Sequence, residues 1–149
     1  MRKVILVLVL VIGGGLAAWW YVRQFITIIP PESLTYNSMH MIKRRILRYA
    51  RTNNKLPRTL DALPVIQGYS DRLTDAWAER ILYHINDDSS ITLTSYGKDG
   101  RPGGAGLNAD MVGVFMPKTP DGQWQGELCE WAIDPFSNEK IPSRGKVLP

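Results

Sequence analysis

The chain has 149 residues, 44% of them hydrophobic and 21% charged, and a formal charge of +4. That balance suits one packed domain plus an N-terminal segment and excludes an intrinsically disordered protein. Its single cysteine, Cys129, excludes an internal disulfide and leaves too few thiols for a thiolate zinc site.

Residues 4–22 are an unbroken run of nineteen uncharged residues. As a helix this run reaches about 28 Å, close to the hydrocarbon thickness of a bilayer. Arg2 and Lys3 precede it, and Arg23 is the only basic residue in the twenty positions that follow. The bias predicts a single-pass inner-membrane anchor with residues 1–3 cytoplasmic and the rest periplasmic. Trp19, Trp20 and Tyr21 at its far end fit an interfacial aromatic belt and favour an uncleaved anchor. Gly15-Leu16-Ala17 offers small residues, Gly15 and Ala17, at the spacing of a signal-peptidase site, so a cleaved signal is the other reading.

A linker over 23–31 ends at Pro30-Pro31, which breaks any helix entering from the N-terminal side. From Ser33 onward Thr35, Met39, Ile42, Ile46, Tyr49 and Ala50 share one face at helical spacing, with Arg44, Arg48, Arg51 and Lys55 opposite. The spacing predicts a long amphipathic helix ending near Asn53-Asn54. Residues 33–60 hold seven Lys or Arg and no acid. Such a stripe is either a solvated face or a surface for anionic headgroups or an acidic partner subunit.

Residues 56–64 read as a short helix capped by Thr59 and closed before Pro64, with Leu60 and Leu63 inward. Residues 80–86 and 91–95, joined by Asp87-Asp88-Ser89, read as an antiparallel hairpin, with Trp77 just ahead of it as a core anchor. Residues 111–116 are apolar and β-rich, 117–123 hold turn residues, and 124–133 read as a further strand. The expected fold is α+β: a long helix packed on a small antiparallel sheet, forming a globular domain over 32–134 with an irregular tail over 135–149.

The loop over 95–110 carries the chemistry. Five of its sixteen positions are glycine, and Asp99, Asn108 and Asp110 supply side-chain oxygens. Calcium accepts such a mixture of carboxylate, amide and main-chain oxygens in irregular geometry. A purely structural turn is the competing reading. The spacing is not that of an EF-hand, and no Gly-Lys-Ser or Gly-Lys-Thr supports a phosphate loop. His40 and His84 stand alone, without a nucleophile at triad spacing, so no enzyme activity and no small-molecule substrate are expected. The basic stripe lacks interleaved base-stacking residues, which argues against nucleic acid.

In residues 73–111 the order of Thr74-Asp75-Ala76-Trp77, Ile81-Leu82-Tyr83, residues 91–95, Asp99-Gly100, Gly103-Gly104 and Ala109-Asp110-Met111 resembles the C-terminal domain of the major pseudopilin of the type II secretion system. The resemblance implies a structural subunit of a secretion or type IV pilus-like assembly, with other pseudopilin or secretion-system subunits and the membrane as partners and a calcium-ordered loop. It does not extend to the N-terminus. The basic leader, cleavage glycine and Phe-Thr-Leu-x-Glu of that family have no counterpart here, and Trp20 stands where the glutamate belongs if Gly15 is the cleavage glycine. A stand-alone periplasmic binding or accessory module with an uncleaved anchor is the alternative.

Overall fold

In the computed structural model of the chain, the described residues are 29–67 and 71–137, with Gly15 and Trp19. The apolar run at 4–22, most of the linker and most of the tail lie outside them. Among the described residues no helix is long and apolar enough to cross a membrane.

The first element is a helix, α1, Pro31–Asn53. Proline opens it because the first turn has no intrahelical use for its missing N–H. Glu32 in the first turn and Arg51 in the last complement the helix dipole. Asn54 ends it in the left-handed region, at φ 53°, where asparagine is tolerated better than most residues. The face expected to turn inward does so: Thr35, Met39, Ile42, Ile46 and Ala50 are fully buried, and Leu47 joins them.

Three strands follow: β1, Leu82–Ile85; β2, Ile91–Ser95; and β3, Met111–Phe115. They form an antiparallel sheet in the order β1-β2-β3. Ile91 lies opposite both Ile85 and Phe115, and Leu93 opposite both Tyr83 and Gly113. Period-two burial puts Ile91, Leu93, Met111 and Phe115 toward α1, while Thr92, Thr94, Val112 and Val114 face outward. Met39, Ile42, Ile46, Leu47, Leu60, Leu63, Ile81 and Trp131 complete the core with them.

Four expectations need correction. Residues 124–133 form no strand; they touch the sheet through a single bridge, Val114 to Ile133. The expected helix at 56–64 is one 3-10 turn, Leu60–Ala62, and Thr59 makes no side-chain cap, because Pro57 and Pro64 leave too few residues for an α-helix; Leu60 and Leu63 are nonetheless buried. Trp77 is only half-buried, and the aromatic anchor is Trp131 instead. Trp131 lies edge-on to Phe115 at 5.6 Å, over Gly113, where a Cβ would come within 2.7 Å of its ring.

The fourth concerns the basic residues: of the stripe, Arg51 and Lys55 are exposed as expected, Arg44 and Arg48 pair with Glu127, and two cations outside the stripe turn inward. Lys43 and Arg45 are buried, at 1% and 3% exposure. Arg45 donates to three main-chain carbonyls, those of Pro64 at 3.1 Å, Asp71 at 3.0 Å and Leu63 at 3.3 Å, and so clamps the connector between helix and sheet. A guanidinium has the planar fork this needs; an ammonium does not. We expect Arg45→Leu to cost about 2–4 kcal/mol in urea denaturation, since three carbonyls lose their donor, and Arg45→Lys to recover only part of that.

Candidate functional site

The glycine loop is set in place from below by Asp75. This residue is 1% exposed, yet both of its carboxylate oxygens are satisfied. Oδ1 accepts the backbone N–H of Trp77 at 2.9 Å and of Glu79 at 3.0 Å, closing the tight turn that lets Ala78 adopt φ 69°. Oδ2 accepts the Ser95 hydroxyl at 2.6 Å, and that hydroxyl accepts the N–H of Gly97 at 3.3 Å. Thr35 on α1 accepts the N–H of Ala76 at 3.1 Å. The carboxylate therefore joins the 75–79 turn, the end of β2 and, through Ser95, the first residue of the loop, and the neighbouring Thr35 bond ties the turn to the helix. The sequence reading gave Asp75 no role; its only signal was an acid just before two strand segments, the second ending in serine.

From Gly97 the loop runs through two 3-10 turns, Gly97–Asp99 and Gly106–Asn108. Gly97 adopts φ 66° and backs onto the second turn: a Cβ there would lie 2.8 Å from the Leu107 carbonyl oxygen and 2.9 Å from that of Ala109. Gly104, at φ 97°, backs onto Asn108 even more closely, with 2.5 Å to its carbonyl oxygen. These two glycines are required by both conformation and space.

Each of the three residues singled out from the sequence contacts the backbone of this loop. Asp99 accepts the N–H of Arg101 at 3.2 Å. Asp110 accepts the N–H of Gly103 with both oxygens, at 3.0 and 2.9 Å. Asn108 packs on Gly104. The donors collected here are all oxygen, including the main-chain carbonyls of Leu107 and Ala109, which is the chemistry a hard cation needs. Among the described residues no three His, Cys, Asp or Glu side chains converge, so a cation here would depend on amide and main-chain oxygens as much as on carboxylates.

Beside the loop, a cleft of about 380 Å³ lies between it and the start of α1, lined by Glu32, Trp77, Leu107, Asp110, Met111 and Phe136. On the flank of α1, residues 124–137 fold back over the helix. Glu127 receives Arg48 at 2.7 Å and Arg44 at 3.6 Å. Lys43 donates to the Cys129 carbonyl at 2.5 Å and lies 4.3 Å from the Trp131 ring centroid, and burial pushes its pKa down. Half of the expected solvated stripe is thus engaged within the fold. His40 stacks on Tyr36 at 6.3 Å; burial, then Lys43 and Arg44, hold its pKa below the ordinary histidine value. His84 is exposed on β1, and Cys129 is half-buried.

The family model for type II secretion system (T2SS) protein G matches residues 32–114. That is more than half of the chain, and the chain belongs to this family. The type II secretion system core protein G of Xanthomonas campestris pv. campestris is 30% identical over 90 residues, covering 53% of this chain and 63% of that protein. The match thus spans about three fifths of that relative's length. No solved structure matches the chain. The match ends inside β3, so Trp124, Glu127 and Trp131, which fasten the returning segment to α1, come after the family-wide part.

Asp75→Ala should destabilise the protein by about 3–5 kcal/mol, because it strands a buried hydroxyl and two amides. Asp75→Asn should cost less, since its oxygen still serves Trp77 and Glu79 while its amide faces Ser95; urea melts of both variants decide this. The His40 shift gives a pH signature. The folded state prefers neutral His40 and the unfolded chain takes up a proton near pH 6.5, so this residue's stabilising effect is complete above about pH 6.5 and declines on acidification below it. His40→Gln should flatten the loss of stability measured from pH 7 to pH 5.

Proposed function

We propose that the chain is a structural subunit of a type II secretion pseudopilus, with no enzymatic activity of its own. The observation that carries this is the family match over 32–114 falling on α1 and the three-stranded sheet. In this reading residues 4–22 anchor the protein in the inner membrane with residues 1–3 cytoplasmic, the domain stands in the periplasm, and its partners are other secretion-system subunits. The long apolar run, the basic residues ahead of it and the aromatic cluster at its end support the anchor.

The glycine loop is the part of the subunit ordered by calcium, held by Asp99, Asn108 and Asp110 with help from main-chain carbonyls. The oxygen-bearing side chains of these three residues in one glycine-rich loop support this. With two carboxylates the affinity should be weak, with Kd of about 10⁻⁴ to 10⁻³ M. Calcium binds only the folded loop, so a tenfold excess over Kd should stabilise the protein by about 1.4 kcal/mol.

Thermal melts of the detergent-solubilised full chain in EGTA and in several millimolar calcium test the loop. Calcium should raise the midpoint more than magnesium does. Asp99→Ala and Asp110→Ala should each abolish that rise, and Asp88→Ala, at the β1-β2 turn, should leave it intact. Coincident curves for the unmutated chain would remove the metal. For the anchor, N-terminal mass spectrometry of protein from purified membranes should find Met1 in place. A chain beginning at Leu16 would mean prepilin-type processing, and one beginning at Ala18 ordinary signal cleavage.

A further inference from the structure

At the opposite end of α1 from Pro30, about 34 Å along the helix axis, three segments meet around a second cleft of about 290 Å³. They are the helix C-terminus at Asn54 and Lys55, the β1-β2 turn at Ser89, and the stretch from Met116 to Trp124. The walls are apolar, from Leu56, Met116, Pro117 and Trp124, and the charged groups in the lining are two lysines, Lys55 and Lys118. Trp124 is fixed by its indole N–H, which donates to the Asn54 side-chain oxygen at 2.7 Å. Lys118 pairs with Trp124 across a small β-turn and carries its ammonium 4.4 Å from the centre of the ring. An ammonium held over a ring has its position set without a carboxylate partner, which leaves it able to receive an anion.

Among the described residues no acid lines this cleft. Asp88, next to it in sequence, is occupied in its own turn, where it accepts the N–H of Ser90 at 2.9 Å. The space suits one or two side chains and is far too small for a helix. A cleft with an apolar floor and two cations selects an anionic group placed next to an apolar one.

We propose that this cleft binds a carboxylate carried beside an apolar side chain, as on an acidic peptide segment of a partner protein. Met116, Pro117, Lys118 and Trp124 lie past the family match, which ends at residue 114, whereas Asn54, Lys55, Leu56 and Ser89 lie within it, so the cleft is formed where the matched domain meets its continuation. It goes beyond the pseudopilus reading and holds whether or not the chain enters a filament. It is also remote from the glycine loop, so calcium is not needed for it.

The test uses the ¹⁵N-labelled full chain in detergent micelles and follows the Trp124 indole N–H signal, assigned by its loss in Trp124→Phe. Three capped dipeptides are titrated: acetyl-Gln-Leu with a free C-terminal carboxylate, acetyl-Glu-Leu-amide with a side-chain carboxylate, and acetyl-Gln-Leu-amide with neither. At least one carboxylate peptide should shift the signal saturably while the neutral peptide does not, and whichever works tells a chain terminus from an acidic side chain. Both lysines are exposed, so Lys55→Gln and Lys118→Gln should leave the melting midpoint unchanged. Each should weaken binding by about fivefold, the effect of a solvent-accessible ion pair of about 1 kcal/mol. Lys118→Arg should restore it. The proposal is overturned if no peptide shifts the signal, if the neutral peptide or inorganic phosphate shifts it equally at the same concentration, or if both Gln variants bind as the unmutated chain does.

Discussion

A buried carboxylate that accepts three hydrogen bonds organises this domain. Asp75 sits where water cannot compensate its charge, so each of its hydrogen bonds is obligatory. The donors come from the 75–79 turn and from Ser95 at the end of β2, and through Ser95 the same network reaches Gly97. Thr35 brings α1 to the turn. The helix, the sheet and the glycine loop cannot shift independently while this network is intact. The loop's geometry is therefore a consequence of core polarity as well as of its glycines.

Around that centre α1 acts as a spine that other segments grip by its cations. Arg45 holds the connector on one flank through carbonyls alone, and Lys43, Arg44 and Arg48 hold the returning segment on the other. The Arg44 and Arg48 pairs with Glu127 are partly exposed and add little by themselves. Lys43 differs: it is buried with Trp131, and Trp131 fits only because Gly113 leaves its face of β3 open. The family-matched domain thus carries a flank beyond the matched residues whose packing is prepared inside the matched sheet.

Much of this was legible in the sequence because it rests on periodicity and local turn chemistry. The helix face, the β1-β2 hairpin, β3 and the glycine loop follow from spacings of 3.6 and 2 and from glycine placement. Asp99, Asn108 and Asp110 stand out in sequence as oxygen-bearing residues of that loop, and each contacts the loop's own backbone. What stayed hidden depends on distant residues. The helical spacing sets Arg51 opposite the apolar face and Lys43 and Arg45 at its two flanks, but it does not reveal that both flanks are covered, because the partners there are carbonyls and a ring far along the chain. Trp77 and Trp131 look alike in sequence, and only the empty face of Gly113 decides which is buried. Residues 124–133 have strand-like composition but pair with β3 only at Val114, through Ala132 and Ile133, while Trp131 packs between β3 and Lys43 of α1 and Glu127 turns to Arg44 and Arg48.

If Asp75 locks helix, turn and loop into one unit, the amides it governs should open only when the whole domain does. Native-state hydrogen exchange of the full chain measures this directly at Trp77, Glu79 and Gly97. The account predicts that these three amides exchange with the same opening free energy as the β2 amides of Leu93 and Ser95. Exchange of Trp77, Glu79 or Gly97 through a local opening of markedly lower free energy, while β2 stays protected, would contradict it.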